Sequence, residues 1–129
     1  MVEAGRALGL RGTVSVRLMD DAAIRALNRR FLGHDWPTDA LSFPSAQRPH
    51  VGDLAVSVAT ARRQARQHGH ALDVELRILL LHGLLHLAGY DHERDQGQMR
   101  RRERALRRQF GLPAGLIERN GPRRRKMNR

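Results

Sequence analysis

Histidines stand at positions 82, 86 and 92 of this chain, two inside a leucine-rich run and one just past Gly89. The run from Leu72 to Leu87 is apolar nearly all round when read as a helix, so that helix must be buried. Residues four apart on a helix differ by about 40° in azimuth and about 6 Å along the axis, so His82 and His86 reach one point. Gly89 lets the chain turn back and bring His92 to the same place. Imidazoles in such surroundings lose their hydration unless a partner replaces it. A lone His-x-x-x-His is more simply a pair of hydrogen-bonded core residues, but a third histidine at this spacing favours a metal. Three histidines that leave one position open make a zinc site of the catalytic type.

The rest of the composition narrows the chemistry. With 129 residues the chain is long enough for one domain with its own core and too short for two. It has no cysteine, which excludes disulfides and thiolate metal sites and leaves histidine and carboxylate as ligands. The apolar stretch Ile78 to Leu81 is far too brief to span a membrane. The opening MVEAGRALGLRG has no apolar signal core, so a cytoplasmic location is expected. Net charge is +11, and residues 100–129 carry 12 of the 24 Lys and Arg against two acidic residues. The body up to residue 99 is therefore almost neutral, and the basic end points to a polyanionic partner, most simply nucleic acid. Phe31, Trp36, Phe43, Tyr90 and Phe110 are the only large aromatic residues, so no base-stacking surface is evident.

Local patterns predict an α+β domain: a small mixed β-sheet packed with several helices, one of them buried and carrying His82 and His86. Thr13 to Met19 alternates apolar and polar residues as a half-buried strand does. Asp20 or Asp21 caps a helix with Ala22, Ile24, Leu27 and Phe31 on its apolar face, and Gly33 ends it. After a turn over residues 34–39, Ala40 to Phe43 reads as a short strand stopped by Pro44, and Leu54 to Val58 as another. Helices follow over 59–68, 72–87 and 95–110. In the second of these, Asp73 and Glu75 favour the positive end of the helix dipole. The domain is placed at residues 1–119, and 120–129 are expected to form a basic disordered tail. His34, His50, His68 and His70 fit no ligand geometry and read as surface residues.

The neighbours of the histidines limit the reaction. Zinc peptidases of the His-Glu-x-x-His type place a glutamate general base after the first histidine, where this chain has Gly83. Peptide hydrolysis is thereby disfavoured. A bound ion can also polarise a phosphoryl oxygen, and with the basic C-terminal region this makes phosphodiester hydrolysis the natural class. Asp91 either orients a ligand and assists proton transfer, or with Tyr90 simply holds the turn.

The string His82-Gly-Leu-Leu-His-Leu-Ala-Gly-Tyr-Asp-His92 closely resembles the signature of the YbeY family of bacterial rRNA-maturation endoribonucleases. Asp35-Trp-Pro-Thr-Asp-Ala-Leu-Ser-Phe-Pro44 resembles that family's D-x-P-T-D-V-L-S-F-P segment, Gly52-Asp53-Leu54 its Gly-Asp-Ile strand start, and Leu27-Asn28 its preceding helix. The likeness runs in order from about Val14 to Phe110. It implies one Zn²⁺ ion held by His82, His86 and His92, cleavage of single-stranded RNA, and a role in 16S rRNA maturation and ribosome quality control. It also implies ribosomal-subunit or assembly-protein partners. The competing expectation is a ribosome-associated assembly factor whose zinc is chiefly structural. Many members carry an arginine after the aromatic residue that ends the helix before the Pro-Thr-Asp turn, but here Phe31 is followed by Leu32. Either Arg29 or Arg30 takes over substrate binding by reaching round the helix end, or the two are simply a solvated helix face. Relatives usually have a further strand and helix before the first strand seen here, so an exposed sheet edge is expected.

Overall fold

A computed structural model of the protein describes residues 1–120. The elements run α1 (Val2–Ala7), β1 (Thr13–Met19), α2 (Asp21–Leu32), β2 (Ala40–Pro44), β3 (His50–Ser57), α3 (Val58–His68), α4 (Leu72–Leu87), α5 (Gln98–Gln109) and α6 (Leu116–Asn120). The expected α+β class and mixed sheet are observed: the strand order is β1-β3-β2, with β1 parallel and β2 antiparallel to β3. The alternation of β2 and β3 sends side chains to two faces. Leu41, Phe43 and Ala55 pack with Ile24 of α2 on one face, while Leu54 and Val56 join the α4 residues Ile78, Leu79, Leu81, Leu84 and Leu85 on the other. Burying each of these large aliphatic side chains stabilises the fold by about 1.5–3 kcal/mol.

Local chemistry sets the helix ends. The Asp20 carboxylate accepts from Ala23 N–H at 2.8 Å and starts α2. Gly33, at φ 75°, ends it in the left-handed conformation. Ser57 caps α3 by accepting from Thr60 N–H, and its hydroxyl donates to Asp21 at 2.6 Å, tying α2 to α3. β3 begins at His50, earlier than the sequence pattern suggests, and Val58 is already the first residue of α3. α5 begins at Gln98 rather than Asp95, because the Asp95 carboxylate stands outside the helix and accepts from Met99 N–H at 2.8 Å.

Four findings depart from the sequence reading. Phe31 is 54% exposed, touching the sheet at its margin edge-on to Phe43, and the buried positions of α2 are Ile24 and Asn28. Glu75 is fully buried near the start of α4, where Arg119 of α6 and His70 hold it. His70 is accordingly an inward-facing residue, its side chain 14% exposed. Helices α1 and α6 are too short to leave a periodic signature. As expected, β1 lies at a sheet edge, with Val16 and Leu18 exposed. Asn120 closes α6, and the remainder of the predicted tail, 121–129, lies outside the described residues.

Candidate metal centre

The last two turns of α4 present His82 and His86 on one face, beside the strand β2. Gly83 between them is what lets the helix approach the sheet. A Cβ there would lie 2.8 Å from Leu54 Cδ2, inside the core, and the Gly83 carbonyl accepts from the Ser42 hydroxyl at 3.4 Å. The position that disfavours a peptidase thus also has no room for a side chain. α4 stops at Ala88, Gly89 takes φ 100°, and Tyr90 N–H returns to the Leu85 carbonyl at 3.1 Å. This reversal carries His92 back over the helix end.

Ligand-type nitrogens of His82, His86 and His92 all lie within 4.8 Å of one another. Two of the rings are fixed from behind. His82 Nδ1 is 2.7 Å from Glu103 Oε2, and His86 Nδ1 is 3.1 Å from the Tyr90 carbonyl oxygen. A carboxylate and a carbonyl only accept, so each Nδ1 carries the ring proton and each Nε2 presents a lone pair. Those two Nε2 atoms face each other at 3.1 Å. Two lone pairs at that distance repel unless a proton or a metal cation lies between them. A tetrahedral zinc site with Zn–N bonds of about 2.0–2.1 Å separates two nitrogen ligands by about 3.3 Å, so the donor set fits such an ion. Burial pushes the pKa of His86 down to about 4, helped by the charge that protonated His82 or His92 would add. The imidazole is therefore neutral, as a ligand must be, at physiological pH.

Glu103 is the site residue that the sequence did not disclose. It sits on α5, 0% exposed, and its second oxygen accepts from Ile117 N–H at 2.9 Å. In sequence it is one acidic residue in a helix full of arginines, with the look of a solvated ion-pair partner. Its only sequence signal is that it shares a helix face with Met99 and Leu106, both buried.

His82 and His86 open into a cleft of about 370 Å³, walled by Asp39, Ala40 and Ser42 before and on β2 and by Tyr90 and Asp91 beyond α4. Asp91 is exposed on the rim. It accepts from Glu93 N–H at 3.2 Å and lies 3.6 Å from Arg94, so it both holds the turn and faces the opening. Arg29 and Arg30 are exposed at the end of α2 and do not line this cleft. Of the seven arginines between residues 100 and 120, three are already engaged: Arg104 and Arg107 bind Glu118, and Arg119 binds Glu75. Among the described residues, no helix is long and apolar enough to cross a membrane.

Known proteins resemble this chain over most of its length. A curated relative named Endoribonuclease YbeY from Koribacter versatilis is 50% identical over 119 residues, spanning 92% of this chain and 78% of the relative. One of the same name from Solibacter usitatus is 54% identical over 99 residues, 77% of this chain and 67% of that protein. A Thermotoga maritima protein solved in solution superposes with a TM-score of 0.60 at 30% identity, covering 84% of this chain and 75% of that one. The family model described as Endoribonuclease YbeY matches residues 2–111, nearly the whole described fold, and the chain belongs to that family.

Proposed function

We propose that the protein is a Zn²⁺-dependent endoribonuclease that cleaves single-stranded RNA and serves 16S rRNA maturation and ribosome quality control in the cytoplasm. The observation that carries the catalytic reading is the pair of Nε2 atoms held 3.1 Å apart at an open cleft, each on a ring whose outer nitrogen meets a hydrogen-bond acceptor. His82, His86 and His92 would hold one ion. A divalent ion in that position supplies Lewis acidity towards a phosphoryl oxygen and a water acidic enough to ionise near neutral pH.

The chain's own residues do the rest. Glu103 and the Tyr90 carbonyl keep the ring protons on the outer nitrogens, so the inner ones stay available at every turnover. Asp91, on the rim, takes up the proton as the attacking water forms its bond to phosphorus; the P–O bond of the RNA breaks, and the departing oxygen takes a proton from solvent water to leave as a hydroxyl. Asp39 and Ser42 of the opposite wall confine the scissile phosphate. Arg29 and Arg30 contact the RNA outside the cleft. Exposed arginines of α5, such as Arg101 and Arg108, together with the basic residues beyond 120, draw the polyanion in. Ribosomal subunits and assembly proteins are the natural partners of such an activity.

The test compares metal-loaded protein with His86→Ala on single-stranded rRNA fragments, alongside metal analysis of the purified protein. Cleavage by the parent and not by the variant is expected. Equal cleavage by both, or by neither, removes the catalytic assignment.

A further inference from the structure

Aromatic side chains are scarce in this chain, yet the end of α2 and the turn after it carry two exposed ones, Phe31 and Trp36. Phe31 ends α2, Trp36 lies in the turn that follows, and Phe43 on β2 meets Phe31 edge-on with ring centroids 5.4 Å apart. Phe31, Leu32 and Trp36 are 54%, 54% and 57% exposed, half of the large apolar residues left in water among the described residues.

This exposure is held rigidly. Gly33 caps α2, His34 N–H returns to the Asn28 carbonyl, and Arg25 grips Asp35 through two hydrogen bonds of 2.9 and 3.2 Å. The buried Asn28 amide donates to the Trp36 carbonyl at 2.9 Å, so the turn presents the indole from a fixed backbone. The His34 ring lies on that indole at 4.7 Å between centroids and 29° between planes. The Arg30 guanidinium sits 5.1 Å from the Phe31 centroid, and Arg29 is exposed one residue earlier. Among the described residues neither arginine makes an ion pair. Arg30 and Phe31 also wall a hollow of about 630 Å³ that Arg17, Asp53 and Phe43 complete.

Flat rings beside guanidinium groups that make no ion pair match a chain of flat bases joined by phosphates. The patch also joins the metal cleft. The turn bearing Trp36 runs through Thr38 to Asp39, which lines that cleft, and β2 is an outer strand over whose free edge a flexible polymer can pass.

We infer that His34, Trp36 and Phe31, flanked by Arg29 and Arg30, form a base-stacking platform for the single-stranded RNA segment that leaves the three-histidine cleft across β2. This deepens the function proposed above and rests on it for the path of the strand. The unpaired state is the determinant, since bases stacked within a duplex cannot offer their faces to the rings.

Trp36 is the only tryptophan in the chain, so it reports on its own occupancy. Its fluorescence is titrated with single-stranded oligoadenylate of about twelve nucleotides, within the range one small domain covers, and with a duplex of equal length. Strong quenching by the single strand and little by the duplex is expected. In parallel, anisotropy of labelled oligoadenylate gives affinities for the parent, Trp36→Ala and Trp36→Phe. Loss of one base stack weakens binding about 5- to 150-fold, and phenylalanine restores most of it. The Asn28 bond goes to the Trp36 backbone, so both variants keep the turn, which unchanged circular dichroism and melting verify. Equal quenching by duplex and single strand, or unchanged affinity in Trp36→Ala, overturns the platform and leaves the patch to a protein partner. If the platform binds RNA while parent and His86→Ala cleave equally, the nuclease reading fails and the platform stands.

Discussion

Replacing Glu103 by glutamine isolates what one buried acceptor does for the metal centre. Glu103 divides its carboxylate between Ile117 N–H, at 2.9 Å on Oε1, and His82 Nδ1, at 2.7 Å on Oε2. Glutamine has nearly the same shape but only one oxygen. Ile117 N–H can only donate, so it claims that oxygen and leaves the amide NH₂ against His82 Nδ1. The imidazole can satisfy this only by moving its proton to Nε2, the nitrogen a metal needs bare. Loss of such an outer partner costs about 10–100-fold in metal affinity, or about 1.4–2.7 kcal/mol. The assay is competition for Zn²⁺ with a chromophoric chelator at about pH 7.5, with thermal unfolding of the metal-free proteins to show that the Ile117 hydrogen bond survives. Gly115→Ala is a second route to the same end, since its Cβ would stand 2.4 Å from Glu103 Oε1 and push the carboxylate off His82. A folded Glu103→Gln protein that binds Zn²⁺ as tightly as the parent would refute the reasoning about the proton.

Three further outcomes are expected. Chelation should abolish cleavage and leave the far-ultraviolet circular dichroism intact, because the core around α4 is built from aliphatic packing; unfolding on chelation would instead assign the metal a structural role. Stability should fall in acid. Asp21 is held down to about 2, chiefly by the Ser57 hydroxyl with Thr60 and Arg63, and Glu118 to about 2, chiefly by Arg107. Both folded values lie below the ordinary 3.8 and 4.5, so their stabilisation is complete above those values and drains away as pH drops towards 2. Urea midpoints of Asp21→Asn and Glu118→Gln that track the parent over this window would count against it. Finally, deleting residues 121–129, which carry five of the Lys and Arg, should weaken RNA binding and flatten its salt dependence by about 0.7 for each phosphate no longer neutralised. An unchanged slope would mean that the segment does not touch RNA.

The features readable in the sequence were those governed by neighbours along the chain. Alternation in Thr13–Met19 marked β1, Asp20 and Gly33 marked the ends of α2, and the apolar run marked α4 with its histidines four apart. The features that were hidden depend on distant partners. Phe31 fits the apolar stripe of α2, but it meets the sheet only at its margin, edge-on to Phe43, so a residue counted towards the core became the edge of a surface patch. Glu75 looked like a charge suited to a helix start, and only α6, folding back over α4, made it a buried ion-pair partner.

By itself the sequence determined that three imidazoles would converge beside a buried helix, because helical spacing and a glycine turn are local geometry. It determined too that Gly83 could not act as a base. Tertiary structure alone decided which nitrogen of His82 faces inward, because Glu103 approaches it from a helix 21 residues away in sequence. It alone decided which arginines remain uncommitted, since Arg104, Arg107 and Arg119 found carboxylates that folding brought to them. Proton position and free charge are settled by what lies across space from a side chain, and the order of residues along the chain does not contain that distance.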